Sequence, residues 1–483
     1  MIFNSLRFLV FFPAVLLVVF LLPERWRQHW LLVSSYFFYM CWNPRYVLLI
    51  LFATTVSYLA GLLLEKLRDE KLREEKLSGR SPRTPMLRKL VLGAALFLNL
   101  GLLALFKYSP ALVVAVGISF YTFQSLGYVI DVYRGTVSAE RNFFRFALFI
   151  SFFPQLVAGP IERSGKLMKE LEKPVRFLFE NARDGLYLML WGYFLKVVIA
   201  DRLALFVDTV YGEPERFGGW YLLLATALFH VQAYCDFCGY STIAMGAAEI
   251  LGIRLTDNFN SPLLSGSVKE FWSRWHVTLG TWFRDYLYIP LGGSRAGKLK
   301  KYRNLMLVFL ASGLWHGGDP TFLLWGGVNG LFVVAEDALA PLRERAARAL
   351  HLPRAALWYR ILRVLWAYFL VILPLIFFRA ENLGHARRAF ASLRHSWNPG
   401  ILVDGSLLNC GLDRAEFLLA MACICLLLAA DYLKRRKVVI REILQRQAFW
   451  FRPLILVCAV CGILVFGKWG PAIETASFIY FQF

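Results

Sequence analysis

The chain has 483 residues, 58% of them hydrophobic and 16% aromatic, with a mean hydropathy of +0.52. That is more apolar side chain than a water-soluble domain can bury, which excludes a soluble globular protein and predicts a polytopic membrane protein. The formal charge of +21 is divided among short loops between apolar runs; with no continuous basic stripe, it reads as a positive-inside signal and excludes a nucleic-acid surface.

In chain order, apolar runs fall at 7–22, 29–41, 46–63, 90–106, 111–130, 143–159, 185–200, 219–234, 304–315, 321–336, 364–378, 415–430 and 454–467. Several are shorter than the roughly 20 residues of a straight span, so an all-α fold of about ten to thirteen transmembrane, tilted or re-entrant segments is expected. The first run lacks a small-residue cleavage site and leads into Arg25 and Arg27, so it reads as a retained helix. Residues 65–90 carry nine Lys/Arg against five Asp/Glu, 343–363 six against one, and 431–452 seven against two. All three are assigned to the cytoplasm. The last run follows the third of them, which places 468–483 on the opposite face. No fixed-period repeat appears, and the expectation is one membrane-embedded domain over 1–483: N-terminal helices (1–140), a catalytic core (141–340), and C-terminal helices with an aromatic tail (341–483).

Eight cysteines include two C-x-x-C pairs, Cys235/Cys238 and Cys458/Cys461, but both lie in or beside apolar runs, and Cys423 and Cys425 are scattered in the same way. Cysteine here behaves as a small hydrophobe, and no metal site is expected. His29, His351, His385 and His395 lie near loops, and His230 lies on the apolar run 219–234. Each reads as a satisfied structural residue.

The stretch 258–330 differs in kind. It contains Asn258-Phe259-Asn260-Ser261-Pro262, then Lys269-Glu270-Phe271-Trp272-Ser273-Arg274-Trp275-His276, then Thr281-Trp282-Phe283-Arg284-Asp285-Tyr286-Leu287-Tyr288-Ile289-Pro290-Leu291-Gly292-Gly293, and finally Gly313-Leu314-Trp315-His316-Gly317-Gly318. Aromatic rings interleaved with Arg and Asp suit a helix lying in a membrane interface, and Arg284 with Asp285 suits an interfacial ion pair. Such a helix accounts for the aromatics but not for His276 or His316. Ionisable side chains at membrane depth are costly and mark functional sites.

These blocks, with Pro154-Gln155-Leu156-Val157-Ala158-Gly159-Pro160-Ile161, Tyr234-Cys235-Asp236-Phe237-Cys238-Gly239-Tyr240-Ser241 and Phe377-Phe378-Arg379-Ala380, make the sequence resemble the membrane-bound O-acyltransferases. The resemblance is to their bacterial alginate O-acetylation branch and, more distantly, to the teichoic-acid D-alanylation transferases. The Ile289-Pro290-Leu291-Gly292-Gly293 ending looks like the former; Cys238 departs from the small hydroxyl residue more usual there. The resemblance implies a catalytic His316, a His276 lining the reaction chamber, and an acyl group, acetyl in this branch, moved from a cytoplasmic thioester such as acetyl-CoA to an extracytoplasmic polysaccharide or cell-wall glycan. It implies no permanently bound cofactor, a bacterial cytoplasmic (inner) membrane location, and an extracytoplasmic hydrolase-like acetyltransferase partner.

The chemistry suits those residues. A hydroxyl attacking a thioester must lose its proton, and neutral imidazole is matched to that near neutral pH. Desolvation in a membrane-embedded cavity keeps a histidine neutral. His276, Trp272, Arg274, Trp275, Asn304 and Trp315 are the candidates for holding the substrates or the oxyanion beside His316. Tyr234 and Asp236 read as structural. The chain ends Ser477-Phe478-Ile479-Tyr480-Phe481-Gln482-Phe483, an aromatic anchor that is also similar to the C-terminal motif of the small peptide partnering the D-alanylation transferase; Tyr480 is therefore a candidate acyl relay, since a phenol can carry an acyl ester. Two alternatives stand beside this reading. One is D-alanyl transfer within the family. The other is a secondary transporter, for which the paired broken helices of internal repeats are missing.

Overall fold

The computed structural model describes residues 1–78, 84–109, 115–295, 297–395 and 397–470. Among them there is no strand. The helices, in chain order, are α1 (Leu6–Leu21), α2 (Glu24–Met40), α3 (Tyr46–Ser78), α4 (Thr84–Tyr108), α5 (Ile118–Arg134), α6 (Phe143–Ser151), α7 (Phe153–Leu156), α8 (Ser164–Glu172), α9 (Phe179–Tyr193), α10 (Asp201–Gly212), α11 (Gly219–Ile250), α12 (Val268–Arg274), α13 (Val277–Phe283), α14 (Lys298–His316), α15 (Pro320–Ala349), α16 (Leu357–Ile372), α17 (Leu375–Arg379), α18 (Leu383–Ser392), α19 (Arg414–Arg435), α20 (Ile440–Gln445) and α21 (Phe451–Phe466). Six are long and apolar enough to cross a membrane: Tyr46–Leu72, Pro85–Tyr108, Gly219–Ile250, Pro320–Ala349, Leu357–Arg379 (α16 with α17) and Arg414–Arg435; α1 and α21 are apolar but shorter. Caps mark many of the starts, as with Asn142 accepting from the Arg145 amide, Ser267 from Glu270 and Asp413 from Glu416.

Where apolar runs proved too short to span, the cause is local. The run at 143–159 breaks at Phe152, with Pro154 opening α7. The run at 364–378 is interrupted before α17, whose cap is Pro374, yet lies within the Leu357–Arg379 span. The run at 185–200 ends in a π-helical turn, Phe194–Ala200, that continues into α10. In the opposite sense, α11 extends well past the apolar run at 219–234 and carries Asp236 inside it.

The chain forms two compact units, Met1–Met189 with Ser241–Thr256, and Leu190–Tyr240 with Asp257–Phe483. In the first, α3 packs on α4 and α5, and the buried Glu65 accepts from the Ala139 amide and pairs with Arg68. The second is built on the α14/α15 hairpin. Its helices meet at glycines: a Cβ on Gly313 would lie 2.4 Å from the Phe322 carbonyl oxygen, and one on Gly326 2.4 Å from that of Phe309. Small residues let membrane helices approach this closely. Lys301 and Asp337 pair at 2.6 Å toward the other end of the hairpin. The two basic segments of this unit converge at that end, where Arg363 donates to the Gly266 carbonyl (3.0 Å), Arg435 lies 3.4 Å from Glu270, and Glu336 accepts from the Lys269 amide (3.0 Å). Two loops that charge alone assigned to one face therefore share one end.

Candidate active site

The stretch 268–288, expected as an interfacial helix, is instead two seven-residue helices, α12 and α13, hinged at His276 and followed by a π-helical turn, Arg284–Tyr288. The break lies in the backbone. His276 adopts φ +45° and ψ +54°, the left-handed region that a non-glycine residue occupies only where its surroundings hold it. Residues 258–260 hold it: the Asn260 amide donates to the Arg274 carbonyl and the Val277 amide to the Asn258 carbonyl, each at 3.0 Å.

Asn258 also sets the imidazole. Its Oδ1 accepts from the Thr278 hydroxyl at 2.9 Å and from the Thr278 amide at 3.4 Å, and it lies 3.0 Å from His276 Nδ1. A backbone amide can only donate, so this atom is the oxygen, and Nδ1 must carry the proton. The lone pair is then on Nε2. His276 is buried and lies outside the six spans; burial alone pushes its pKa well below the ordinary imidazole value, so the ring is neutral. In this tautomer Nε2 is an acceptor. Phe237 meets the same ring edge-on at 4.7 Å.

His316 is the last residue of α14. The chain turns there because Gly317 is extended and Asp319 caps α15, accepting from the Thr321 amide at 2.9 Å, with Pro320 at the first helical position. The ring is buried among Trp315 (4.8 Å between centroids), Trp325 (4.9 Å) and Phe378 (5.3 Å). Trp315 also meets His276 at 6.0 Å, so the two imidazoles share one indole as a neighbour. Trp272 reaches this enclosure through Trp325 (5.6 Å), and Trp275 packs on Phe271, Phe259, Tyr234 and His230.

The other expected residues are placed elsewhere. The Arg274 guanidinium faces Glu270 (3.0 Å) and the Asn260 carbonyl (3.2 Å), at the basic end. Asn304 stands twelve residues before His316 on α14, roughly 18 Å along the axis; its amide donates to the Leu291 and Gly293 carbonyls and its oxygen accepts from Arg303, so it shapes the 289–293 turn. Asp285 pairs with Arg284 at 2.8 Å. Tyr480 lies outside the described residues.

Three polar features escaped the sequence reading. Asn258 was visible only as part of a motif, although an Asn beside a Pro-containing turn and upstream of a histidine is a usable signal. Lys196 bridges Asp201 and Asp236, 2.7 Å from each, all three buried; the π-helical turn brings the first two together. Tyr234 donates to Asp431 at 3.1 Å. Among the described residues no group of three or more His, Cys, Asp or Glu could hold a metal ion.

Residues 136–378 match the model of the membrane-bound O-acyltransferase family. The chain is similar to a probable alginate O-acetylase, AlgI, of Azotobacter vinelandii, 37% identical over 81% of this chain and 78% of the relative. It is also similar to a peptidoglycan O-acetyltransferase of Helicobacter pylori, 31% identical over 75% and 73%, and to a teichoic acid D-alanyltransferase of Bacillus subtilis, 30% identical over 44% and 56%.

Proposed function

The chain belongs to the membrane-bound O-acyltransferase family, and on that premise we propose that it moves an acetyl group from a cytoplasmic thioester, acetyl-CoA or a similar donor, across a bacterial cytoplasmic membrane for O-acetylation of an extracytoplasmic polysaccharide or cell-wall glycan. The observation that carries this reading is the pair of buried imidazoles flanking Trp315 at the end of the α14/α15 hairpin away from the basic loops. From Asp337 to Thr321 along α15 is roughly 24 Å, most of a bilayer's hydrocarbon thickness. A donor entering at the basic end and an acceptor arriving from the opposite face would meet near His316.

His316 acts as general base. A ring nitrogen takes the hydroxyl proton as the oxygen forms its bond to the acyl carbon; the carbon–sulfur bond breaks, and the imidazolium returns the proton to the departing thiolate. His276, whose ring meets the same indole, helps hold the acceptor in the chamber. Acetyl is favoured over D-alanyl because the O-acetylating relatives cover three quarters or more of this chain, whereas the D-alanyltransferase covers 44%. The family membership leaves no support for the transporter alternative. Tyr480 serves as an acyl relay to an extracytoplasmic hydrolase-like transferase. The reading is tested by the O-acetyl content of surface glycans in intact cells. His316→Ala should abolish the chain's contribution; unaltered acetylation at unchanged protein level would refute the assignment.

A further inference from the structure

Three charged side chains on the last turn of α19 grip the segment that holds His276. Asp431, Lys434 and Arg435 are spaced i, i+3 and i+4, and so share one face of the helix. Lys434 donates to the Phe259 carbonyl (3.1 Å), while Arg435 donates to the Ser261 carbonyl (3.0 Å) and lies 3.4 Å from Glu270 in the first turn of α12. Asp431 accepts from the Tyr234 hydroxyl (3.1 Å), and the Tyr234 ring packs on Phe259 (5.7 Å) and Trp275 (6.2 Å). A positive-inside signal accounts for the charge of Lys434 and Arg435, and cations suit a helix C-terminus. Neither reason requires the two side chains to reach carbonyls two residues apart in one segment.

That segment follows a strained path. Ser261 has φ +51° and ψ +58°, in the same left-handed region as His276. Non-glycine residues persist there only where their surroundings over-determine them. The two strained residues belong to one paired unit, because the Asn260 amide donates to the Arg274 carbonyl and the Val277 amide to the Asn258 carbonyl, with Asn258 Oδ1 at the imidazole. Asn258 and Asn260 are thus held by the residues around His276, and the alternate residues, Phe259 and Ser261, are held by α19.

We propose that the last turn of α19 is a positioning element for His276: Lys434 and Arg435, with Asp431 acting through Tyr234, keep 258–261 on the path that sets the imidazole. This rests on the reading of His276 as part of the acyl-transfer site and names what places it there. The α19 side chains act through Asn258, not on a reacting atom.

The test is Arg435→Lys, which keeps the charge at the helix end and removes the guanidinium fork between Ser261 and Glu270. Hydrogen–deuterium exchange of the full chain in lipid nanodiscs is followed at 258–261 and 274–278. Both segments should exchange about tenfold faster, the worth of one charge-assisted hydrogen bond, while α14 and α15 keep wild-type exchange. Thiol release from acetyl-CoA is followed in isolated membranes, where kcat should fall about tenfold with the acetyl-CoA KM unchanged. Tyr234→Phe should move both readouts in the same direction. Ser261→Gly, for which a positive φ carries no steric cost, should restore much of the turnover when added to Arg435→Lys. If Arg435→Lys does not accumulate, Tyr234→Phe carries both measurements. Wild-type exchange at 258–261 and 274–278 in both variants would overturn the inference, and so would a raised acetyl-CoA KM at unchanged kcat, which would make Arg435 a donor contact. A wild type that releases no thiol would overturn the acetyl-CoA reading, and the exchange measurement would still decide this inference.

Discussion

Gly317→Ala isolates what the His316 enclosure requires. Gly317 has φ −168°, a conformation any residue adopts, so the backbone does not demand glycine there. The space does: a Cβ would lie 2.2 and 2.3 Å from two carbons of the Phe322 ring. Relieving the contact to an ordinary separation moves that ring by roughly 1.2 Å, taking about 3.4 Å as the nearest comfortable approach. Phe322 cannot move alone. Its ring meets Phe378 at 5.4 Å, and Phe378 meets His316 at 5.3 Å, so the displacement passes to the imidazole. Overpacking of this kind costs about 1–3 kcal/mol, and a 1 Å misplacement of a reacting group costs about a hundredfold in rate. The expected result is a protein whose Tm falls by a few degrees while acyl transfer in isolated membranes falls about a hundredfold, a loss far beyond the stability change. Phe322→Leu, which shortens the obstructing side chain, should restore most of the activity when combined with Gly317→Ala. Wild-type transfer by Gly317→Ala, or no rescue by the second change, would refute the packing argument.

Lys196→Met leaves Asp201 and Asp236 facing each other without their shared cation. Breaking a buried ion pair in this way costs about 3–5 kcal/mol, so the variant should fail to accumulate in membranes, and adding Asp201→Asn with Asp236→Asn should restore its level on immunoblots. Normal accumulation of Lys196→Met alone would contradict this. Asn258→Leu removes the acceptor that fixes the His276 tautomer; kcat should drop about tenfold to a hundredfold with little change in donor KM, and Asn258→Asp, which keeps an accepting oxygen, should lose less. Tyr480→Phe keeps the aromatic bulk and removes only the hydroxyl; glycan acetylation in cells should fall to background, and full acetylation would rule out the relay.

The membrane setting and the helical class were legible because the hydropathy of whole runs depends on composition, and composition needs no tertiary information. Helix lengths were less legible. In a chain apolar on nearly every face, periodicity does not separate lipid-facing from buried positions, so the end of a run was taken as the end of a helix. That reasoning cut α11 short at residue 234, although Lys196 neutralises Asp236 and lets the helix continue to Ile250. No local pattern announces a partner forty residues away.

The site divides along the same line. His316 and His276 stood out because each was a polar residue in apolar surroundings, and the structure brings both rings against one indole. Arg274 and Asn304 were singled out for their chemistry and their nearness in sequence, yet a helix carries a residue twelve positions away by roughly 18 Å, and a hinge redirects one two positions away. The left-handed turn at His276 explains both outcomes. It points the imidazole toward Phe237 and Trp315 while Arg274 turns to Glu270 at the basic end. A straight interfacial helix would have kept residues 274 and 276 at one depth. Broken at this point, with Asn258 holding the break, the same seven-residue pieces carry one polar side chain to the charged end and deliver the other to the buried imidazole pair.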